Sequence, residues 1–267
     1  MAGVPPVAED GNFLKGASAH ARYMVKNYLA RNPKTPHREE PTNPWYTDEG
    51  AKAAPKAAEV GPGSQQSPSV SIDWWMDAPL HRLGLIARDL RMAAYGHYCE
   101  GDICAWTLVL DSRAQADTDP LWFGEVPDPV MFPANATTIP SNLSVLIVGE
   151  WPEPLSLSCS GYRRPNGFPI TLQFDQRFVP RLLSFALTRN GASVDACGYD
   201  STSYENVNLP TQNWARGGVK GRAAVVLIPR EPLNRGAKYT VTINVEEQND
   251  PFGWGFTISF CRSNSAL

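Results

Sequence analysis

No stretch of this 267-residue chain approaches the roughly 20 consecutive apolar residues of a membrane-spanning helix, so no transmembrane segment is expected. One-sided charge is missing as well. The 24 Lys and Arg stand against 27 Asp and Glu for a net charge of −3, and no basic run would track a phosphate backbone, which sets nucleic acid aside as a partner. The opening residues Met1 to Phe13 lack the charged and apolar regions of a signal peptide, so either a leader has been removed or the chain begins late. Long regular helix is scarce, because 24 Pro and 21 Gly commit much of the chain to turns and exclude a helical bundle. Catalytic signatures are lacking too: there is no Gly-x-Ser-x-Gly, no His-Glu-x-x-His and no catalytic Cys context. The acids Glu39-Glu40, Asp48-Glu49 and Asp73 with Asp77 are available as pairs, but adjacent acids in a Pro-rich loop read as solvated surface rather than a glycosidase dyad. A non-enzymatic protein is therefore the expectation.

What is present is length, cysteine and pattern. At 267 residues the chain exceeds the usual single-domain size, and 42% hydrophobic with 19% charged residues is the composition of a globular protein, so two domains are expected. Five cysteines include Cys99 and Cys104, with four residues between them across a turn, and Cys159 and Cys197, which flank a strand-rich block. Two local disulfides follow, and with them an oxidising, extracellular or cell-surface location. Loop-closure entropy assigns about 2 kcal/mol to the first and about 4 kcal/mol to the second. Cys261 is left over, either as a buried thiol or as a handle for an intermolecular bond. Asn135-Ala136-Thr137 and Asn142-Leu143-Ser144 match the N-glycosylation acceptor pattern.

The chain divides by texture. Between Asn12 and Ala30, Phe13, Ala17, His20 or Ala21, Met24 and Tyr28 recur every three or four residues, the period of a core-facing helix. Residues 32–68 are rich in Pro, Asn and Gly and read as a long loop unable to sustain helix or ladder. Val70 to Leu80 reads as a second helix that Pro79 breaks or bends, followed by a disulfide-tied hairpin and a buried strand from Ala105 to Asp111. Four prolines between about Leu121 and Pro140 mark a linker. Beyond it, segments 170–174, 182–188, 223–229, 238–245 and 253–260 read as short strands separated by turn signals at Asn190-Gly191, Asn234-Arg235-Gly236 and Asn249-Asp250-Pro251, the texture of a β-sandwich.

One segment carries a family resemblance. Trp75-Met76-Asp77-Ala78-Pro79-Leu80-His81-Arg82, then an aliphatic run and Ala94-Tyr95-Gly96, resembles the Trp-Met-x-Ser-Pro-x-His-Arg segment of bacterial CAP-superfamily proteins (cysteine-rich secretory, antigen 5 and pathogenesis-related 1). Ala2 to Val7 resembles a segment that follows the first helix of those proteins, which implies that this helix is missing here. The closing strands, Gly-x-x-Tyr-Thr-Val and Trp-x-Phe, resemble the final hairpin of bacterial Ig-like domains found beside CAP domains. The implied fold is α+β: an N-terminal α-β-α sandwich over residues 1–120, a Pro-rich linker over 121–140, and an all-β Ig-like sandwich over 141–267.

The resemblance also implies a cleft in which two His and often two acids converge, sometimes around zinc. His81 matches the second cleft His and His37, ahead of Asn43-Pro44-Trp45-Tyr46, matches the first; these two are the candidate metal ligands, with zinc the candidate ion. Ala78 stands where relatives carry one Glu, with Asp77 beside it, and the Gly-Glu-Asn triplet that supplies the other is absent, leaving Glu59 and Glu49 as candidates. Trp45 and Tyr46 supply aromatic contact area, and Trp74, Trp75 and Tyr95 are further aromatics near that cleft. Two imidazoles alone make an open zinc site weaker than a three- or four-ligand one. The bland alternatives stand beside these: His81 buttressing its helix, His37 on the surface, His20 a satisfied structural histidine, His97 exposed, and Trp214 in a loop that it either pins or offers to a partner. The expected function is an exported protein whose cleft binds a small apolar ligand, a glycan or a metal, with an Ig-like spacer or docking domain. A surface protein self-associating through β-edges and a metal-assisted hydrolase using His37, His81 and a Glu are the alternatives.

Overall fold

The computed structural model describes residues 2–32, 36–64, 68–111, 127–141, 145–146 and 149–260. Cys261 and the Asn142 acceptor triplet lie outside the described residues. Helices and sheets are mixed, and the C-terminal part is rich in strand. No described helix is long and apolar enough to cross a membrane. The chain forms two compact units: Pro5–Met76 with Asp89–Gly124, and Met1–Val4 with Asp77–Arg88 and Glu125–Leu267.

The first unit is built on a four-stranded sheet in the order β1-β3-β4-β2, with β1 Ala8–Glu9, β2 Ala57–Ser64, β3 Met92–Glu100 and β4 Ile103–Asp111. Strands β3 and β4 are a hairpin closed at Gly101 (φ 59°), and the Cys99–Cys104 disulfide joins facing positions beside the turn. Helix α1 (Leu14–Leu29) buries Ala17, His20, Ala21 and Met24 of the stripe that its 3.6-residue period predicts, whereas Tyr28 at its C-terminal end is exposed. It lies so close to β3 that a Cβ at Gly96 would sit 2.2 Å from the Ser18 nitrogen and 2.3 Å from the Ala17 carbonyl carbon. Only glycine fits there.

The stretch 32–68 is a correction to the sequence expectation, because it holds α2 (Asp48–Ala53), a 3₁₀ turn (Ala54–Lys56) and β2. The prolines sit where each element tolerates them. Thr47 caps α2 by accepting from the Gly50 N–H at 3.0 Å, with Asp48 and Glu49 in the first turn, and Pro55 falls in the 3₁₀ turn. Strand β2 is at an edge, and its register shifts between Val60 and Gly63, so Pro62 removes no regular ladder bond. Helix α3 (Pro68–Asp77) ends where Pro79 forces Ala78 into extended backbone (φ −79°, ψ 105°).

The second unit takes α4 (Pro79–Leu85) together with β5 (Val130–Phe132), β6 (Thr137–Ile139), β7 (Val145–Leu146), β8 (Asn166–Gly167), β9 (Ile170–Gln173), β10 (Leu182–Arg189), β11 (Ala192–Ser193), β12 (Ala196–Tyr199), α5 (Leu209–Gly221), β13 (Ala224–Pro229), β14 (Lys238–Val245) and β15 (Phe252–Ile258). Its two main sheets are β11-β10-β14-β15-β6 and β12-β13-β9-β5. Strand β13 is buried at all six positions. Ala224, Val226 and Ile228 share a core with Leu83 of α4 and Ala215 and Val219 of α5, whereas Gly198 of β12 abuts both Leu227 and Phe185 of β10. Helices α4 and α5 therefore cover one face of the four-stranded sheet, and Phe185 of β10 lies against the other. The Asn190-Gly191 signal is a hairpin turn with both residues at positive φ (50° and 87°), and Cys159 is bonded to Cys197.

Two differences from the sequence expectation stand out. Residues 121–140, expected as linker, hold β5 and β6; each is a three-residue strand at a sheet edge, where the flanking Pro129, Pro133 and Pro140 cost no ladder bond. Trp214, expected in a loop, lies in α5, which Asn208 caps by accepting from the Thr211 N–H at 2.9 Å.

Candidate functional site

His81 is the third residue of α4, and its ring is held by a partner far along the chain. The Glu150 carboxylate accepts from the His81 backbone N–H at 2.7 Å and, through the same Oε1, from ring Nδ1 at 2.7 Å. A carboxylate oxygen facing Nδ1 places a proton on that nitrogen. The glutamate side chain is wholly buried and the histidine side chain 24% exposed, so the pair joins a dry anchor to a solvent-facing imidazole.

The surroundings are charged and buried. Arg82 is fully buried, donates to the Pro169 carbonyl at 2.8 Å, and has its guanidinium 4.5 Å and 4.8 Å from the ring centres of Phe132 and Phe168. Burial pulls its pKa down to about 9, against the upward pull of the Asp77 and Glu150 carboxylates, so it stays a cation at neutral pH. Burial, and then the Glu150 charge, push the Tyr199 phenol well up. Glu150 Oε2 and the Tyr199 hydroxyl are buried with no hydrogen-bond partner among the described residues, an acceptor and a donor near one guanidinium.

The first unit has a second buried pair. His20 Nδ1 meets Glu39 Oε1 at 2.8 Å and Nε2 meets the Pro36 carbonyl at 2.7 Å, both side chains fully buried. With an acceptor at each nitrogen, a doubly protonated ring satisfies both. Glu39 Oε2 accepts from the Thr47 N–H at 3.0 Å, and Asn43 donates to Asn27 at 2.7 Å, so residues 36–47 are stitched to α1. The expectation that Glu39 is solvated surface is corrected: it is the loop's central acceptor.

The remaining sequence candidates are placed as follows. His37 is half-buried in the stitched loop. Trp45 packs against Ala21, Tyr23, Met24 and Ala105, and the Tyr46 hydroxyl donates to Asp48 at 3.0 Å, which with burial raises its pKa. Glu49 is exposed on α2, and Glu59 stands opposite Thr107 in β2, its side chain outside the described set. Trp75 is core, edge-on to Tyr95, and His97 is exposed. Asp77 is buried and belongs with His81, Arg82 and Glu150. His37 and His81 thus fall in different units.

The helix–sheet unit, the Pro79 break and the His-Arg pair at 81–82 together locate the resemblance. Residues 1–110 match the CAP family, the cysteine-rich secretory protein family. A CAP-like domain therefore occupies the N-terminal part of the chain. No curated protein and no solved structure matches the chain. The CAP-like segment includes α4, although α4 packs in the second unit. Among the described residues no three His, Cys, Asp or Glu side chains converge to hold a metal, and the His81–Glu150 pair supplies two donors where a zinc site takes three or four, so the donor set does not fit zinc.

Glu150 was missed because nothing near it in Glu150-Trp151-Pro152-Glu153 signals a partner 69 residues away. Glu39 had only its acidic neighbour as a signal, and that pointed to the surface.

Proposed function

We propose that this is an exported, non-enzymatic protein of bacterial type in which the CAP-like domain, an α-β-α sandwich, binds a small apolar ligand or glycan at His81, and the C-terminal Ig-like sandwich serves as spacer or docking unit. The observation that supports ligand contact most strongly is the His81–Glu150 pair: a partly exposed imidazole whose tautomer and direction are fixed by a buried carboxylate. A ring held this way keeps its orientation without further loss of side-chain freedom, which is how a few polar groups orient a ligand in a largely apolar site. Export is supported by the two disulfides, which persist in oxidising compartments, and by the secretory character of the matched family. The Ig-like assignment is supported by two sheets of short strands, antiparallel except where β6 runs parallel to β15, with a tight turn at Asn190-Gly191.

The test is isolation of the secreted protein with whatever it carries, beside His81→Ala and Glu150→Ala. Co-purifying small-molecule mass that both substitutions deplete supports the proposal; equal loading in all three contradicts it.

A second reading, self-association through a sheet edge, is favoured by β10. Its partner β11 covers only Thr188 and Arg189, and Leu183 on the remaining length is 65% exposed. A concentration-dependent oligomer that a Leu183→Lys variant dissolves would favour it.

A further inference from the structure

Two tryptophans of the second unit stand out in the open and touch each other. Trp151 is 57% and Trp214 52% exposed, with ring centres 5.1 Å apart and planes inclined at 43°. Their backbones are fixed from behind. Beside Trp151, Glu150 is held by His81, and the Glu153 carbonyl accepts from the Tyr204 hydroxyl at 2.8 Å. Beside Trp214, Ala215 is in the core and Arg216 Nε donates to the Tyr204 carbonyl at 2.7 Å. The indoles are thus presented by anchored backbone and do not lie on a free loop.

The flanking chemistry narrows what the rings face. From Asn206 to Ala215 the chain carries no charged residue but four carboxamides; Asn206, Asn208 and Gln212 bond within the turn and the helix cap, and Asn213, next to Trp214, is exposed. An anionic membrane surface selects free Lys and Arg beside its aromatics, whereas the cation nearest in sequence, Arg216, is turned back onto the Tyr204 carbonyl; strand addition of a peptide needs an open edge, and this segment is helix and turn. Exposed aromatic faces beside neutral donor–acceptor side chains suit a neutral ligand with both C–H faces and hydroxyls. We infer that the Trp151–Trp214 pair is a carbohydrate-binding platform for the pyranose rings of a neutral oligosaccharide, a site separate from His81.

The test uses the full, disulfide-intact chain on chitin and cellulose, with chitotetraose and cellotetraose titrated against intrinsic Trp fluorescence. Retention on at least one polysaccharide is expected, with roughly a tenfold loss of affinity for Trp151→Ala or Trp214→Ala and no measurable binding for the double variant. The double variant should still carry the co-purifying small-molecule mass that His81→Ala loses, which separates this site from the His81 proposal. Absence of binding to all four probes overturns the inference whatever the variants do. So does retention that survives the double substitution, binding to neutral phosphatidylcholine vesicles in place of sugar, or a dimer that the double variant converts to monomer without sugar binding.

Discussion

At the scale of single residues, the chain's polar chemistry is concentrated in carboxylates that organise other groups. Glu150 fixes His81, Glu39 fixes His20 and the loop that carries His37, and Asp200 ties four donors. For His81, ¹⁵N NMR should find the proton on Nδ1, with Glu150→Ala returning the ring to the Nε2–H tautomer common in solution; an Nε2–H ring in the unsubstituted protein would contradict the geometry. For Asp200, burial works to raise the pKa, but bonds from the Leu182, Thr202 and Ser203 N–H groups and the Thr202 hydroxyl outweigh it, leaving a net depression. A depressed folded pKa contributes stability that is present above the unfolded value near 4 and is lost as pH falls through the folded one. Asp200→Asn should therefore cost about 2 kcal/mol at neutral pH and less below pH 4, measured by denaturant titration at both. These carboxylates were not legible in the sequence. His81 was, because its flanks form a motif, but its partner is set by tertiary packing 69 residues on, and Glu39 is buried by a loop that local composition marks as surface.

At the scale of elements, legibility followed periodicity. Helix α1, the β3–β4 hairpin and strands β9, β10, β13, β14 and β15 sit close to where spacing and turn residues place them, since a strong period survives tertiary context. Helix α5 escaped because Leu209-Pro210-Thr211-Gln212-Asn213 opens it with turn-forming residues, and its apolar stripe is thin, only Ala215 and Val219 being buried. Two glycines test how tightly elements pack. Gly96→Ala forces a methyl against the α1 backbone and should destabilise the first unit by about 2 kcal/mol or more. Gly217→Ala in α5, where nothing lies within 4 Å, should stabilise by about 0.5–1 kcal/mol. Thermal melts of both variants check the contrast, and similar shifts would mean that α1 and β3 are not in close contact.

At the scale of the whole molecule, chain order and packing order differ. The segment Asp77–Arg88 is CAP-like in sequence and packs with the C-terminal strands, through Leu83 in their core and Arg82 over the rings of both Phe132 and Phe168. No composition shift marks such an exchange, which is why a boundary drawn from prolines could not anticipate it. Each disulfide closes within one unit, so removing Cys159–Cys197 should cost about 4 kcal/mol and removing Cys99–Cys104 about 2 kcal/mol, read from separate denaturant curves of the two paired Cys→Ala variants.

The central claim is that His81, set by Glu150, contacts a bound small molecule in an exported protein. Non-reducing native mass spectrometry of the protein from its source tests it most directly. The predicted result is a monomer with two intact disulfides and an added small-molecule mass that His81→Ala loses. A ligand-free oligomer would contradict the claim and make the β10 edge the functional surface.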